Sequence, residues 1–162
     1  MRFRSCFFAF LMSSLVAGSA PGQGSPSSSE KVLVNTDRHG LALDGHDPVA
    51  FFTDARPVKG RPEYTARYQG AEYRFATMEH QAAFAADPAK YAPQFGGFCA
   101  YGLSRGHTAS VEIDTWQIVD GRLLLNYNQS VRKQFDAERT ENLRKADANW
   151  PGVVEKEGKP PK

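Results

Sequence analysis

The stretch Tyr91-Ala92-Pro93-Gln94-Phe95-Gly96-Gly97-Phe98-Cys99-Ala100-Tyr101-Gly102 lies between two segments of regular hydrophobic pattern and governs how they can pack. Its aromatic side chains alternate with Gly, Ala and Pro, a composition too rich in glycine for regular structure. It also holds Cys99, one of only two cysteines in the 162-residue chain. We expect the neighbouring segments to pack around this irregular, aromatic-rich centre.

A β-hairpin pattern lies on each side of the stretch. Residues 63–76 alternate polar and apolar side chains about a Gln69-Gly70 turn, so that one face of the ribbon is aromatic. Residues 116–127 alternate about Asp120-Gly121, a strong signal for a two-residue hairpin turn. The register set by that turn places on one face the side chains of Trp116, Ile118, Leu123, Leu125 and Tyr127.

A helical pattern follows the first hairpin. Thr77 is a favourable N-cap residue for a helix over residues 78–86, whose His80 and Phe84 fall on one face. Asp87-Pro88 then begins a further short turn of helix, because proline suits the first helical position.

A longer helical pattern follows the second hairpin. Asn128 or Ser130 caps it, and it reaches about Asn149, with a break near Arg139-Thr140 and Pro151 as its stop. The order of hairpin, helix, glycine-rich loop, hairpin and helical region predicts a small, single-domain α+β fold.

The two ends of the chain differ in composition from this domain. Residues 1–20 combine two arginines, an apolar run and small residues near position 20, a pattern typical of a secretory signal peptide. The alternative is an uncleaved N-terminal anchor, although the apolar run is short for a membrane span. Residues 21–30 predict a disordered linker and residues 155–162 a disordered tail, which leaves residues 31–154 as the folded domain.

Export has consequences for charge and for thiol chemistry. Removing Arg2 and Arg4 takes the formal net charge from +2 to 0, because residues 1–20 contain no acid. A near-neutral domain argues against a nucleic-acid or anionic-membrane surface. Loss of Cys6 leaves Cys99 without a disulfide partner, so that its thiol is buried and inert, bound to metal, or reactive. The expected compartment is the bacterial periplasm, with no stable membrane insertion after cleavage.

Four motifs together resemble the YHS domain family. They are Asp44-Gly45-His46-Asp47-Pro48-Val49-Ala50-Phe51-Phe52, Gly70-Ala71-Glu72-Tyr73-Arg74-Phe75, Phe84-Ala85-Ala86-Asp87-Pro88-Ala89-Lys90-Tyr91 and Gly96-Gly97-Phe98-Cys99-Ala100. The end of the domain, with Asn126-Tyr127-Asn128 and Ala146-Asp147-Ala148-Asn149-Trp150-Pro151, is similar to the exported, stand-alone branch of that family. The resemblance implies a small α+β, treble-clef-like module that binds copper or another soft metal, although many exported members have no assigned activity.

The chain departs from the metal-binding form of that family at the ligands. That form has one Cys just after Asp-Pro-Val and two more, four residues apart, after the Tyr-x-Phe of the second strand. The corresponding positions in this chain are Ala50, Ala76 and His80. Two of the three ligands are absent and one is replaced by a different ligand type, so the resemblance does not carry the metal site over intact.

Cys99 is the candidate anchor of any remaining metal site, with His80, His107 and His46 as candidate partners. A thiolate with imidazole partners suits copper or zinc. Each residue also has a structural interpretation: Cys99 as a small buried hydrophobe, His80 as a hydrogen-bonded helix histidine, and His46 as a tolerated variant. Asp47 fits an Asx cap of the turn that Pro48 begins.

Familiar catalytic and zinc motifs are missing from the sequence. It contains no CxxC or HxxxH pair, which argues against a closed four-ligand zinc site, and no GxSxG, P-loop or dinucleotide fingerprint. We therefore expect a binding module and not an enzyme.

Three functions are compatible with these residues. The first is an exported module that binds copper or zinc weakly through Cys99 and histidine. The second is a metal-free member of the family that binds a small ligand or a protein. The third, a thiol enzyme or redox protein that uses Cys99 with His107, is the least favoured because the mature chain has no resolving cysteine.

Overall fold

Residues 30–161 are described by a computed structural model, so the predicted signal peptide and residues 21–29 of the predicted linker lie outside the described residues. Over this range the chain forms two antiparallel two-stranded sheets and six helices. The predicted α+β class and both predicted hairpins are therefore confirmed. No helix among the described residues combines the length and the apolar character needed to cross a bilayer.

The first half of the domain contains the first hairpin and three short helices. Its elements are a 3₁₀ turn Leu43–Gly45, helix α1 Ala50–Thr53, strands β1 Arg61–Tyr68 and β2 Ala71–Phe75, and helices α2 Met78–Ala86 and α3 Pro88–Tyr91. The Thr77 side chain accepts a hydrogen bond from the His80 N–H at 3.2 Å, which confirms it as the cap of α2. Asp87 caps α3 in the same way through the Lys90 N–H.

The second half contains the central stretch, the second hairpin and the longest helix. Its elements are a 3₁₀ turn Gln94–Gly97, helix α4 Ala100–Ser104, strands β3 Glu112–Val119 and β4 Arg122–Asn126, and helices α5 Gln129–Ala137 and α6 Arg139–Glu157. The expectation of no regular structure in the central stretch is wrong at its C-terminal end. There α4 begins because the Cys99 sulfur accepts the Gly102 N–H at 3.4 Å and caps the helix.

Strand β4 separates two hydrophobic cores. Leu123 and Leu125 belong to the first core, which β2, α1 and α2 build around Phe51, Tyr73, Phe75 and Phe84. Leu124 faces the opposite way into the second core, which contains Phe95, Leu103, Phe135, Leu143 and Ala146. Both faces of β4 are buried, so its sequence is a continuous apolar run and not an alternating one.

Strand β3 is less buried than its partner. Trp116 packs on the first core, as the predicted face requires, but Ile118 is 37% exposed and Tyr127, beyond the end of β4, is 50% exposed. The pairing shifts register between Glu112 and Gln117, and β3 pairs with β4 alone in a two-stranded sheet.

Helix α6 continues through the proline that the sequence analysis placed at its end. Asn128 caps α5 and the chain breaks at Glu138, both as predicted, but α6 runs from Arg139 past Pro151 to Glu157. The prediction of a stop at Pro151 is wrong because Trp150 and Val153 pack on the second core on either side of it. Residues 155–157 of the predicted tail thus form the last turn of α6.

Beyond α6 the chain pairs with the start of the domain. Lys159 and Val32 exchange two backbone hydrogen bonds of 2.8 and 2.9 Å. The Lys31 ammonium also contacts the Glu155 carboxylate at 2.8 Å. These contacts bring the two ends of the described chain together.

Candidate functional site

Cys99 lies enclosed between the two cores. Its residue is 1% exposed, and its backbone pairs with Leu125 of β4 in a parallel bridge. The sulfur accepts the Gly102 N–H at 3.4 Å and lies 3.7 Å from the Asn126 side-chain oxygen. The thiol therefore contacts a helix terminus and an amide, an environment that fits a small buried capping residue.

Two of the candidate histidines make contacts unrelated to Cys99. His46 directs Nδ1 at the Leu43 carbonyl at 3.0 Å, and burial lowers its pKa below the ordinary value. His107 is exposed, and its backbone N–H donates to the Gly102 carbonyl at 3.2 Å. Within residues 30–161 Cys99 forms no hydrogen bond with a histidine, and no three of the four predicted ligands lie together as a metal-binding group.

His80 is instead held by the buried carboxylate of Asp47. Its Nδ1 lies 2.7 Å from Asp47 Oδ2, and Asp47 is fully buried. The same Oδ2 accepts the Ala76 N–H at 2.8 Å, while Oδ1 accepts the N–H groups of Val49 and Ala50 at 2.8 and 3.3 Å. Four donors thus satisfy one carboxylate, which is what burial of a charged group requires.

Three positions at which the chain departs from the resembled family meet at this carboxylate. Ala50, Ala76 and His80, where the metal-binding form of the resembled family has cysteines, all donate to Asp47. The first two do so through the backbone and the third through its ring. In this chain the three positions converge on a carboxylate carried by the turn before α1.

The other ring nitrogen of His80 faces the end of α1. Its Nε2 lies 3.3 Å from the Thr53 hydroxyl and 4.0 Å from Asp54 Oδ1. The Thr53 hydroxyl has one proton, and its shortest acceptor is Asp54 Oδ1 at 2.8 Å, ahead of the Val49 carbonyl at 3.2 Å. The hydroxyl therefore leaves Nε2 free to accept from, or bind to, something else.

The hydrogen bond to Asp47 fixes which nitrogen of His80 carries the proton. An ionised carboxylate only accepts, so Nδ1 donates and a neutral ring has its lone pair on Nε2. The His80 side chain is 17% exposed and the Asp54 side chain 33%, so Nε2 and a carboxylate oxygen lie side by side near the surface. The nearest cation to Asp54, Arg56, is 4.0 Å away and largely exposed.

Sequence reasoning found part of this site. It identified His80 as a candidate ligand and Asp47 as an Asx cap, and the cap is confirmed by the Val49 N–H contact. It did not connect the two, because they are 33 residues apart and no local spacing relates them. Thr53 and Asp54 were not predicted, because they belong to no recognisable motif. The fold alone makes them neighbours of His80.

Comparison with protein-family models, with curated proteins and with solved structures finds no match to this chain. Within the described part of the chain, no group of three or more His, Cys, Asp or Glu side chains is arranged to hold a metal ion. The Asp47, His80 and Asp54 side chains are therefore the candidate site on geometric grounds alone. Only two of these side chains, those of His80 and Asp54, have a metal-ligating atom near the surface.

Proposed function

We propose that this protein is an exported, YHS-like binding module that holds zinc or copper(II) weakly at His80 and Asp54. The observation that carries the proposal is the 2.7 Å contact by which buried Asp47 orients the His80 ring. A carboxylate bonded to the far nitrogen of a ligating histidine is the usual outer partner of a metal-bound imidazole. The treble-clef-like relationship is part of the same proposal, supported by the order of hairpin, helix and glycine-rich stretch.

The donor types fit a borderline metal ion better than a soft one. Imidazole nitrogen and carboxylate oxygen suit zinc and copper(II), whereas copper(I) favours sulfur. Zinc–ligand distances to these donors are about 2.0–2.2 Å, so a small side-chain rotation would let His80 Nε2 and Asp54 Oδ1, 4.0 Å apart, contact one ion. Cys99, which the sequence suggested as a ligand, is not part of the proposed site, because the residue is buried and its sulfur accepts the Gly102 N–H.

A site with two protein ligands leaves room for other ligands on the ion. Structural zinc sites use about four protein ligands and catalytic ones about three. Two ligands at a half-open position are suited to reversible capture, with water or a partner completing the coordination. The same burial of Cys99 argues against a thiol enzyme, because a reactive thiolate must be accessible.

Calorimetric titration with Zn²⁺ and with Cu²⁺ tests the proposal. The chain is studied with Cys6→Ser, so that Cys99 is the sole thiol. We expect one weak site, and we expect His80→Ala and Asp54→Ala each to weaken binding at least about tenfold. Asp47→Asn should weaken it by about 10- to 100-fold while both proposed ligands remain, because it removes the outer partner.

Two further variants serve as matched controls. Cys99→Ser and His107→Ala remove two of the other candidate ligands and should leave the affinity within about twofold of the parent. Circular dichroism on every variant establishes that the fold is retained. Binding lost in Cys99→Ser but kept in His80→Ala would overturn the proposed site, and absence of binding in the parent chain would overturn the metal function.

A further inference from the structure

A groove runs along the free edge of strand β3. It encloses about 570 Å³, with α1 on one side, Arg132 of α5 on the other, and the consecutive residues 116–118 as its floor. Neighbouring residues of a strand point to opposite faces of the sheet. Because three in succession line the same groove, the groove follows the edge of the strand and not one face of the sheet.

The edge of β3 offers unpaired backbone groups. The outer edge of β4 is met by Cys99, whereas no backbone hydrogen bond reaches the outer edge of β3 from elsewhere in residues 30–161. Asp120 and Gly121 have φ values of 50° and 73°, the signature of a type I′ turn, which makes Val119 and Arg122 the hydrogen-bonded pair next to the turn. Ile118 then belongs to a pair that shares no hydrogen bonds, and its N–H and C=O point away from β4.

The two walls of the groove differ in chemistry. On one side Trp116 contacts Phe51 with ring centroids 5.4 Å apart, and Ile118 shares that face. On the other side lies Gln117, 8% exposed, whose side-chain nitrogen is buried and makes no hydrogen bond within residues 30–161. One side of the groove is therefore apolar, and the other is lined by a polar amide side chain.

Arg132 adds a positive charge to the polar side of the groove. Its Nε is 3.7 Å from Asp136, beyond hydrogen-bond distance, and Arg139 already contacts that carboxylate at 2.9 Å. Two arginines thus share one aspartate, so the local balance is positive. The charge complement of this wall is a carboxylate.

We propose that the β3 edge binds an extended peptide segment in which apolar and acidic residues alternate. The segment pairs with the Ile118 N–H and C=O as an added strand, as in other β-augmentation complexes. Its apolar side chains lie against Phe51, Phe52 and Trp116, and its acidic side chain faces Arg132 and Gln117. Alternation is required because successive side chains of an added strand point to opposite sides.

This inference goes beyond the metal proposal and does not depend on it. The residues that line the groove do not include Asp47, Thr53, Asp54 or His80, although Ala55 directly follows Asp54. Binding is therefore measured in the presence of EDTA, and success or failure here is independent of the metal titrations.

The test uses two peptides of matched length and apolar content. Acetyl-Val-Glu-Val-Glu-Val-amide is titrated into ¹⁵N-labelled full chain, with acetyl-Val-Lys-Val-Lys-Val-amide as the control. We expect saturable amide shifts centred on Ile118 with the acidic peptide and at least tenfold weaker binding of the basic one. Arg132→Glu should reverse the preference between the two peptides.

A second measurement tests the backbone pairing itself. N-methylation of the central valine of the acidic peptide should weaken binding at least tenfold, because it removes a ladder hydrogen bond without touching the protein. Ile118→Pro should also weaken binding of the acidic peptide. The Ile118 N–H that this substitution removes makes no hydrogen bond to β4. Equal binding of both peptides, shifts confined to another surface, or a β3-to-β3 dimer in sedimentation would each overturn the proposal.

Discussion

The carboxylate of Asp47 and the imidazole of His80 form a 2.7 Å hydrogen bond that ties helix α2 to the turn before α1. Asp47 is fully buried, and within residues 30–161 the ring is its one side-chain partner beside three backbone N–H groups. The contact therefore serves two purposes: it satisfies a buried charge and it aims Nε2 of His80 at the surface. A change in Asp47 should affect stability whether or not a metal binds.

Asp47→Asn should lower the free energy of unfolding by about 3 kcal/mol, because a buried amide cannot accept from donors on both sides of the group. Urea unfolding with an unchanged m value measures the loss. Asp54→Asn, at a side chain that is 33% exposed, is the matched control and should cost less than about 1 kcal/mol. Equal losses in the two variants would contradict the central role of Asp47.

The sequence was sufficient for both hairpins and for the helices that follow them, and insufficient for helix α4 and for the contacts between elements. Thr77, Asn128 and the Asp120-Gly121 turn act locally, through neighbours within a few residues, and each was predicted correctly. The prediction that the helix stops at Pro151 was wrong for the opposite reason. Packing of Trp150 and Val153 on the second core outweighs the local cost of proline in a helix. This packing depends on residues that are distant from Pro151 in the chain.

The candidate site was only half predictable for the same reason. The residue type and position of His80 could be recognised, because a histidine in a ligand position is a chemical signal. Its partners, Asp47 and Asp54, are carboxylates in ordinary turn sequences. Only the fold, which sets α1 against α2, makes them neighbours.

Cys99→Ser should preserve the cap of α4, whereas Cys99→Ala should not. Serine is a preferred N-cap residue, and its hydroxyl can accept the Gly102 N–H that the sulfur accepts at 3.4 Å. We expect the alanine variant to be less stable than the serine variant by about 1 kcal/mol in urea unfolding. The reverse order would indicate that packing of the sulfur outweighs its capping.

The thiol of Cys99 should also be protected in the folded protein. In a Cys6→Ser chain, alkylation by iodoacetamide should be on the order of a hundred times slower in buffer than in denaturant, since Cys99 is 1% exposed and its thiol reacts only after local opening. Equal rates in the two solutions would mean that Cys99 is accessible in the native state.

Gly96 should be intolerant of any side chain. Its φ of 59° lies in the left-handed region, and a Cβ at this position would overlap the carbonyl oxygen of Leu33. Gly96→Ala should therefore cost about 3 kcal/mol of unfolding free energy. Gly121→Ala is the control, because its φ of 73° is equally strained but no atom of the described residues lies within 4 Å of an added Cβ, and it should cost about 1 kcal/mol.

His46 should make the protein less stable as the pH falls. Burial lowers the pKa of His46 below its ordinary value of 6.5, assisted by Lys59 and opposed by the Leu43 carbonyl and Asp44. Between the folded and the unfolded pKa the unfolded chain binds more protons, so the contribution of His46 is present above about pH 6.5 and is lost as the pH falls through the folded pKa. Urea unfolding from about pH 7.5 to about pH 5.5 should show a steeper loss in the wild type than in His46→Gln. The His46→Gln chain keeps every other ionisable side chain, so equal slopes would mean that the His46 ring is solvated and not buried.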